Sequence, residues 1–253
     1  MDPILESLYA RKSVRVFADK PVPEAVKRDV LLAAAQAPTA GNQQLYTILD
    51  ITDPDIKTAL SINCDYQPFI AAAPIVLVFL ADCVKWRDAY LAAGCEDVRP
   101  PAPGDLMLAV SDACIAAQNA VVAAESLGLG SCYIGDVMEN CQQQRTLLRL
   151  PADVFPCAMV VMGYPTEKQR ARRKPERFAQ RHIVHENGYR RMDAAELREM
   201  FAERAKRENP AAEWDFDGWV RAFCQRKYMS PFSLEMSRSV AEYWKDYQGP
   251  GRE

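Results

Sequence analysis

The sequence predicts an α+β fold, with one main domain and a helical C-terminal arm, and three observations carry that prediction. Two continuous apolar runs, "PIVLVFLAD" (74–82) and "CAMVVMGYP" (157–165), are rich in branched residues and read as central strands buried on both faces. A long stretch, "LMLAVSDACIAAQNAVVAAESL" (106–127), has helical periodicity. Strand and helix signals alternate irregularly, and at 253 residues no segment demands a second core.

In order along the chain, Ile4, Leu5, Leu8 and Tyr9 recur at helical spacing and predict a short opening helix over 2–11. Pro21 and Pro23 bracket a turn. Pro23 and Glu24 then open a helix through about Gln36, with the acid on the positive end of the helix dipole. "APTAGNQQ" breaks that helix at Pro38 and Gly41, "LYTILDI" (45–51) reads as a strand, and a helix follows over about 53–63. After the strand at 74–82, residues 83–105 form an excursion, a short helix and then a stiff loop "RPPAPG". The helix at 106–127 is predicted to lie centrally or at a subunit interface, because its Ala, Cys and Ser positions permit close backbone approach, and Gly128 supplies its C-terminal stop. A turn and strand at "GLGSCYIGDV" (128–137), a helix to about Leu148 and the strand at 157–165 complete the core. "TEKQRARRKPERFAQR" reads as a basic loop, and helices are predicted over about 194–207, 216–226 and 233–247, the last amphipathic.

A net charge of −3 offers no global case for nucleic acid or an acidic membrane surface. The longest apolar run, 69–81, is shorter than the roughly 20 residues of a span and contains Pro74. Eight cysteines form no C-x-x-C pair, so reduced thiols in a cytoplasmic protein are expected rather than a zinc or disulfide framework. "GLGSCYIG" fails as a dinucleotide fingerprint, because Tyr133 stands at the third glycine, and as a P-loop, because Asp136 replaces the lysine. Gly135 is left without a local reason, and a glycine there would let a backbone N–H approach a flat ligand. "HIVHE" (182–186) matches no zinc motif, no third ligand accompanies it, and no metal is expected. With two histidines and no G-x-S-x-G, nucleophilic catalysis lacks its usual base.

What the chain does offer is cations. "RKSVRVF" (11–17) packs Arg11, Lys12 and Arg15 around Ser13, and "RARRKPER" (170–177) is a second cluster. Guanidinium groups give bidentate bonds to a phosphate monoester and a hydroxyl adds a donor. Taken singly, each cluster reads equally as a solvated face.

In combination, "RKSVRVF", "APTAGNQQ", "AAESLGLGSCYIG" and "VVMGYP…KPER", in this order and followed by "HIVHENGY", resemble the nitroreductase family, closest to its NADPH-type nitroreductase and flavin reductase subgroup. The resemblance covers about residues 1–190. It implies a mixed central β-sheet flanked by helices, an FMN-binding domain over 1–190, and a helical arm over 191–253 that wraps the partner of a homodimer. It implies FMN as cofactor, NADPH or NADH as transient hydride donor, and small-molecule acceptors (nitroaromatics, quinones or flavins) reduced by ping-pong hydride transfer. It places Arg11, Lys12, Ser13 and Arg15 on the phosphate, ribityl and pyrimidine end of the flavin, with Lys174 and Arg177 also on phosphate. Pro38, Thr39, Ala40 and Asn42 would come from the partner, Tyr133, Ile134 and Gly135 would lie against the ring, and Gln67 would meet its edge. Arg204, Lys206 and Arg207 would meet the NADPH 2′-phosphate. Two departures stand out: Glu176 is inserted between Lys174 and Arg177, and Lys12 replaces the subgroup's usual arginine. No acid–base residue is implied, because the chemistry resides on the flavin. A specialised dehalogenase-type relative, a flavin sensor without turnover, and an anion-binding scaffold are the alternatives.

Overall fold

The computed structural model describes residues 2–211 and 213–248. They divide into two compact units, one formed by residues up to Arg172 together with those from Leu234, the other by Arg173–Ser233.

The first unit is built on four strands, β1 (Tyr46–Asp50), β2 (Ile75–Asp82), β3 (Gly130–Ile134) and β4 (Val154–Gly163), in the order β1-β2-β4-β3. All three pairings between these strands are antiparallel. Every residue of β2 and β4 is buried, which is what their unbroken apolar runs dictate. At roughly 1.5–3 kcal/mol for each fully buried aliphatic or aromatic side chain, these two strands hold the sheet.

β4 begins three residues earlier than the apolar run suggests. Pro156 sits inside it opposite Leu80, at a register shift between Phe79 and Leu80. Proline cannot donate to a ladder and is accommodated in an inner strand only at such a bulge. The sole parallel pairing among the described residues is the single bridge between Ser13 and Ser131. The mixed character expected of the sheet is confined to that bridge.

Helices α1 (Pro3–Ala10), α2 (Glu24–Ala35), α3 (Pro54–Asn63), α4 (Pro68–Ala71) and α5 (Val84–Ala92) precede the long α6 (Pro103–Ser126). Asp2 and Asp53 cap α1 and α3 by accepting backbone N–H bonds at their first turns. α6 starts three residues before the expected position. Pro103 occupies its first turn, and Asp105 reaches back to the Ala102 N–H at 2.8 Å, so part of the stiff loop is already helix. Gly128 ends it with φ +78°, the left-handed conformation glycine adopts freely. α6 is long and apolar enough to cross a membrane by composition alone. Its Ala109, Ala113, Ala116, Ala117 and Ala120 are instead fully buried against α2 and the sheet, which makes it a core helix. Its outer face leaves Met107, Leu108, Cys114 and Ile115 exposed, and α1, which touches α6, exposes Ile4, Leu5, Leu8 and Tyr9.

α7 (Cys141–Leu148), a short α8 (Glu167–Ala171) and the end of α11 (Pro231–Trp244) complete this unit. α8 lies in the stretch expected to be loop, capped by the Thr166 hydroxyl on the Gln169 N–H. α11 packs on its own chain: Tyr243 is buried edge-on to Phe155 at 5.1 Å, the Ser239 hydroxyl accepts from the Cys141 N–H, and Arg145 pairs with Asp246.

The second unit holds α9 (Ala194–Glu208), α10 (Phe216–Phe223) and a π-helical turn at Cys224–Tyr228. Asp193 and Glu196 form a reciprocal capping box at α9. Phe178, Phe201, Phe216, Trp214, Trp219 and Phe223 form a continuous aromatic cluster, with centroid separations of 4.9–5.7 Å.

Candidate functional site

Residues 11–18 run as an extended segment along the sheet margin. The Val14 N–H donates to the Ser131 carbonyl (2.8 Å), and the Ala18 N–H to the Tyr164 carbonyl (2.7 Å). Extended backbone sends alternate side chains to opposite sides. On one side Val14 is buried over Gly130, where an added Cβ would lie 2.5 Å from Val14 Cγ2. Lys12 shares that side: its ammonium donates to the Arg170 carbonyl at 2.6 Å, and both residues line a 350 Å³ cavity with Glu125 and Gln169. The structure therefore turns Lys12 away from Ser13 and Arg15.

On the other side, Ser13 and Arg15 face the Cys132 thiol. Burial pushes that thiol's pKa up, while Arg15, Ser13 and Arg11 oppose the rise. Neither Arg11 nor Arg15 forms an ion pair with a described residue; Arg11 Nη1 is buried without a hydrogen-bond partner, and the Arg15 side chain hydrogen-bonds the Cys132 thiol. The Arg15 guanidinium also lies over the Phe69 ring, 5.9 Å from its centroid. Two guanidiniums without an ion-pair partner thus lie beside one hydroxyl.

Strand β3 ends beside them. Tyr133 is partly exposed and donates its hydroxyl to Gln118 Oε1 at 3.2 Å, and burial raises its pKa. Ile134 is buried, and Gly135 opens a 3₁₀ turn over Gly135–Met138. Nothing within the described chain demands glycine there: its φ is not left-handed, and a Cβ would meet only Met138 Cε, at 3.7 Å. Gln67 follows Asp65 and Tyr66, both left-handed at φ 61° and 52°, and its amide N–H bonds the Cys64 carbonyl at 2.7 Å.

The turn holding Pro38, Thr39, Ala40 and Asn42 is fixed from beneath by a residue that sequence reasoning missed. Asp112 is buried in α6, and its carboxylate accepts the Ala40 N–H at 2.9 Å and the Leu45 N–H at 3.2 Å. Those bonds hold a backbone that is left-handed at Gly41, Asn42 and Gln44. The available signal was a lone acid in an apolar helix, "LAVSDACIAA", which must find partners if buried. Glu139 was also missed. It is buried, and burial followed by Asp136, Asp65 and Glu235 pushes its carboxyl up to about 7.

In the second unit, Lys174 is half-buried and Arg177 exposed. The inserted Glu176 is paired with Arg173 at 2.6 Å and Arg207 at 3.7 Å, which leaves the Arg177 guanidinium uncommitted. Arg204 lies over the rings of Phe178, Phe201 and Trp219 at 4.5–5.2 Å. Arg207 also donates to the Arg177 carbonyl at 2.5 Å, while Lys206 is exposed and unpaired. His182 faces Glu203 at 3.3 Å and His185 Nδ1 accepts the Arg190 N–H, so both imidazoles serve local structure.

Residues 8–164 match the model of the Nitroreductase family. The oxygen-insensitive NADPH nitroreductase of Salmonella typhimurium is 34% identical over 193 residues, covering 76% of this chain and 77% of that protein. The FMN reductase [NAD(P)H] of Bacillus subtilis is 33% identical over 202 residues, with the same coverage. Among solved structures, that of B. megaterium NfrA2 superposes with a TM-score of 0.82 at 25% identity, covering 98% of this chain and 99% of the other.

Proposed function

The chain belongs to the nitroreductase family, and we propose that it is an FMN-dependent NAD(P)H oxidoreductase that reduces small-molecule acceptors such as nitroaromatics, quinones or flavins. The observation that carries the reading is the pair of guanidiniums without an ion-pair partner, Arg11 and Arg15, beside the Ser13 hydroxyl, with Arg11 Nη1 buried and unsatisfied. A buried cationic donor without a partner is costly, and a phosphate dianion satisfies it. The donor set fits FMN, as does the open glycine at 135. When bound, FMN supplies the hydride chemistry.

The chain's own residues supply orientation and charge. Arg11, Ser13 and Arg15 bind and neutralise the phosphate and orient the polar end of the cofactor. Lys12 adds charge from the reverse side of the segment. Tyr133, Ile134 and Gly135 offer a flat strand end to the ring, and the Gln67 amide meets its edge. Lys174 and Arg177 are assigned to phosphate by the family resemblance alone; within their own unit, the pairing of Glu176 with Arg173 and Arg207 leaves the Arg177 guanidinium unpaired. Of the three cations assigned to the NADPH 2′-phosphate, Lys206 is the one whose charge is unpaired. Arg204 and Arg207 are engaged with aromatic rings, acids and a backbone carbonyl.

The protein acts as a homodimer, a reading supported by the apolar outer face of α6 with Met107, Leu108 and Ile115 and by α1 beside it. Pro38, Thr39, Ala40 and Asn42 then serve the partner's cofactor, held by Asp112. The helical arm expected over 191–253, whose last residues lie outside the described ones, reaches the partner through the exposed Leu234 and Trp244 of α11. Tyr243 and Ser239 anchor that helix on its own chain, and the eight free thiols support a cytoplasmic location.

The test compares FMN with riboflavin on apoprotein. Charge-assisted bonds to phosphate predict that wild-type protein prefers FMN by at least roughly a hundredfold, and that Arg15→Ala loses about tenfold of that preference. Equal affinity for the two flavins in wild-type protein would refute the assignment.

A further inference from the structure

A cavity of 280 Å³ lies in the first unit, bounded by α5, the stretch 98–101 and the start of α6. Its wall combines two aromatic rings, Trp86 and Tyr90, one turn apart on α5, with centroids 5.8 Å apart and planes at 44°. Leu45, Val98 and Pro101 add an apolar lining.

The charged groups around it are committed, with one exception. Arg99 forms a two-pronged pair with Asp105, at 2.5 and 3.0 Å, so both charges cancel within the wall. Lys85, on the preceding turn position, donates to the Gln44 and Tyr46 carbonyls. The Trp86 indole N–H donates to the Gln43 carbonyl at 2.7 Å, which fixes its ring plane. The Cys83 thiol is held up to about 12 by burial and by Asp105, Asp153 and Asp82, and so adds no negative charge near neutrality. Arg87 is the exception: it forms no hydrogen bond or ion pair with any described residue, and its Nε is buried without a partner.

Arg87 lines the cavity with its charge unpaired, and a guanidinium meets a carboxylate through two parallel N–H bonds. Two rings and aliphatic walls select a flat apolar body attached to that carboxylate. The volume, at the small end of ligand cavities, limits the body to a single ring with small substituents. We propose that this cavity is a binding site for single-ring aromatic carboxylates, with Arg87 taking the carboxylate and Trp86 and Tyr90 flanking the ring.

None of Arg11, Ser13 and Arg15 lines this cavity, whereas Leu108, assigned above to the dimer face, does. Gln43, at the edge of the cavity, directly follows the 38–42 turn, so an occupant would sit against the segment assigned to the partner's cofactor.

The experiment titrates the full-length protein as purified with 4-fluorobenzoate, followed by ¹⁹F NMR, alongside 4-fluorobenzamide as the uncharged isostere. Saturable benzoate binding to wild-type protein is expected, with the benzamide at least about tenfold weaker, since a charge-assisted pair is replaced by a neutral one. Arg87→Met, which keeps the stem and removes the charge, should bring the benzoate to the level of the benzamide. Arg87→Lys, a point charge without the fork, should fall between. Absent or non-saturable benzoate binding in wild-type protein overturns the proposal, as does equal binding by wild-type and Arg87→Met. Flavin content is read in the same samples. Loss of flavin speaks against the proposed function, whereas flavin-loaded protein without benzoate binding overturns this site alone.

Discussion

Gly130→Ala tests whether the strand bearing Arg11, Ser13 and Arg15 is positioned by its contact with β3. An added Cβ would lie 2.5 Å from Val14 Cγ2, 2.9 Å from its Cβ and 3.2 Å from its Cγ1. Val14 is buried and branched, so it cannot swing clear, and its N–H is bonded to the Ser131 carbonyl. The segment has to move outward or the bond has to stretch, and overpacking of this kind costs about 1–3 kcal/mol. The same movement displaces Ser13 and Arg15, so FMN affinity should fall together with stability. Val14→Ala by itself opens a small cavity at a cost of about 1–2 kcal/mol. In the double variant the alanine at 130 occupies space vacated at 14. Urea unfolding should therefore show the double variant at least about 1 kcal/mol more stable than additive single effects predict, with FMN affinity partly restored. Additive stabilities, or a Gly130→Ala protein with unchanged unfolding midpoint and flavin affinity, would refute the argument.

Three further expectations follow from named contacts. Asp112→Asn leaves one of two backbone N–H donors facing an amide N–H, so urea unfolding should show a loss of about 1–3 kcal/mol; an unchanged midpoint would mean the 39–45 turn does not depend on it. Glu139 titrates in the folded protein at about 7, above its ordinary value, so its stabilising contribution is complete at low pH and is lost as pH rises through 7. Glu235, held down to about 2 by Arg238, does not titrate in that window. Melting temperatures of wild type and Glu139→Gln should therefore diverge in favour of the variant between pH 5 and 8, on the order of the interval set by that raised pKa; parallel profiles would contradict the placement. Arg204→Ala removes a cation from three rings and should cost the 173–233 unit about 1–2 kcal/mol, seen as faster limited proteolysis there; unchanged cleavage would leave Arg204 free for a ligand.

The strands at 74–82 and 157–165 and the long helix were legible because fully buried elements need unbroken apolar runs. The start of β4 was hidden by Pro156, which a sequence pattern reads as a break and a bulge accommodates. The start of α6 was hidden because Pro103 and Gly104 look like loop until Asp105 closes the capping interaction. The cluster at 11–15 was visible as composition, but the division of labour within it was not. Alternation along an extended segment sends Lys12 toward the Arg170 carbonyl and leaves Ser13 and Arg15 together. Gly130 read as part of a turn, and its reason is a long-range packing contact with Val14 that no local pattern contains. Asp112 and Glu139 were passed over because burial turns a common surface residue into a structural or titrating one, and burial is a property of the fold.

Whether this chain turns over as a flavin-dependent oxidoreductase is decided by an anaerobic titration of the purified protein, reconstituted with FMN, against NADPH and NADH in the flavin absorbance band. One bound FMN per chain is expected, its visible absorbance bleaching on adding reduced nicotinamide and returning on adding menadione. Protein that cannot retain FMN, or whose bound flavin stays oxidised under excess of both nicotinamides, would contradict the proposed function.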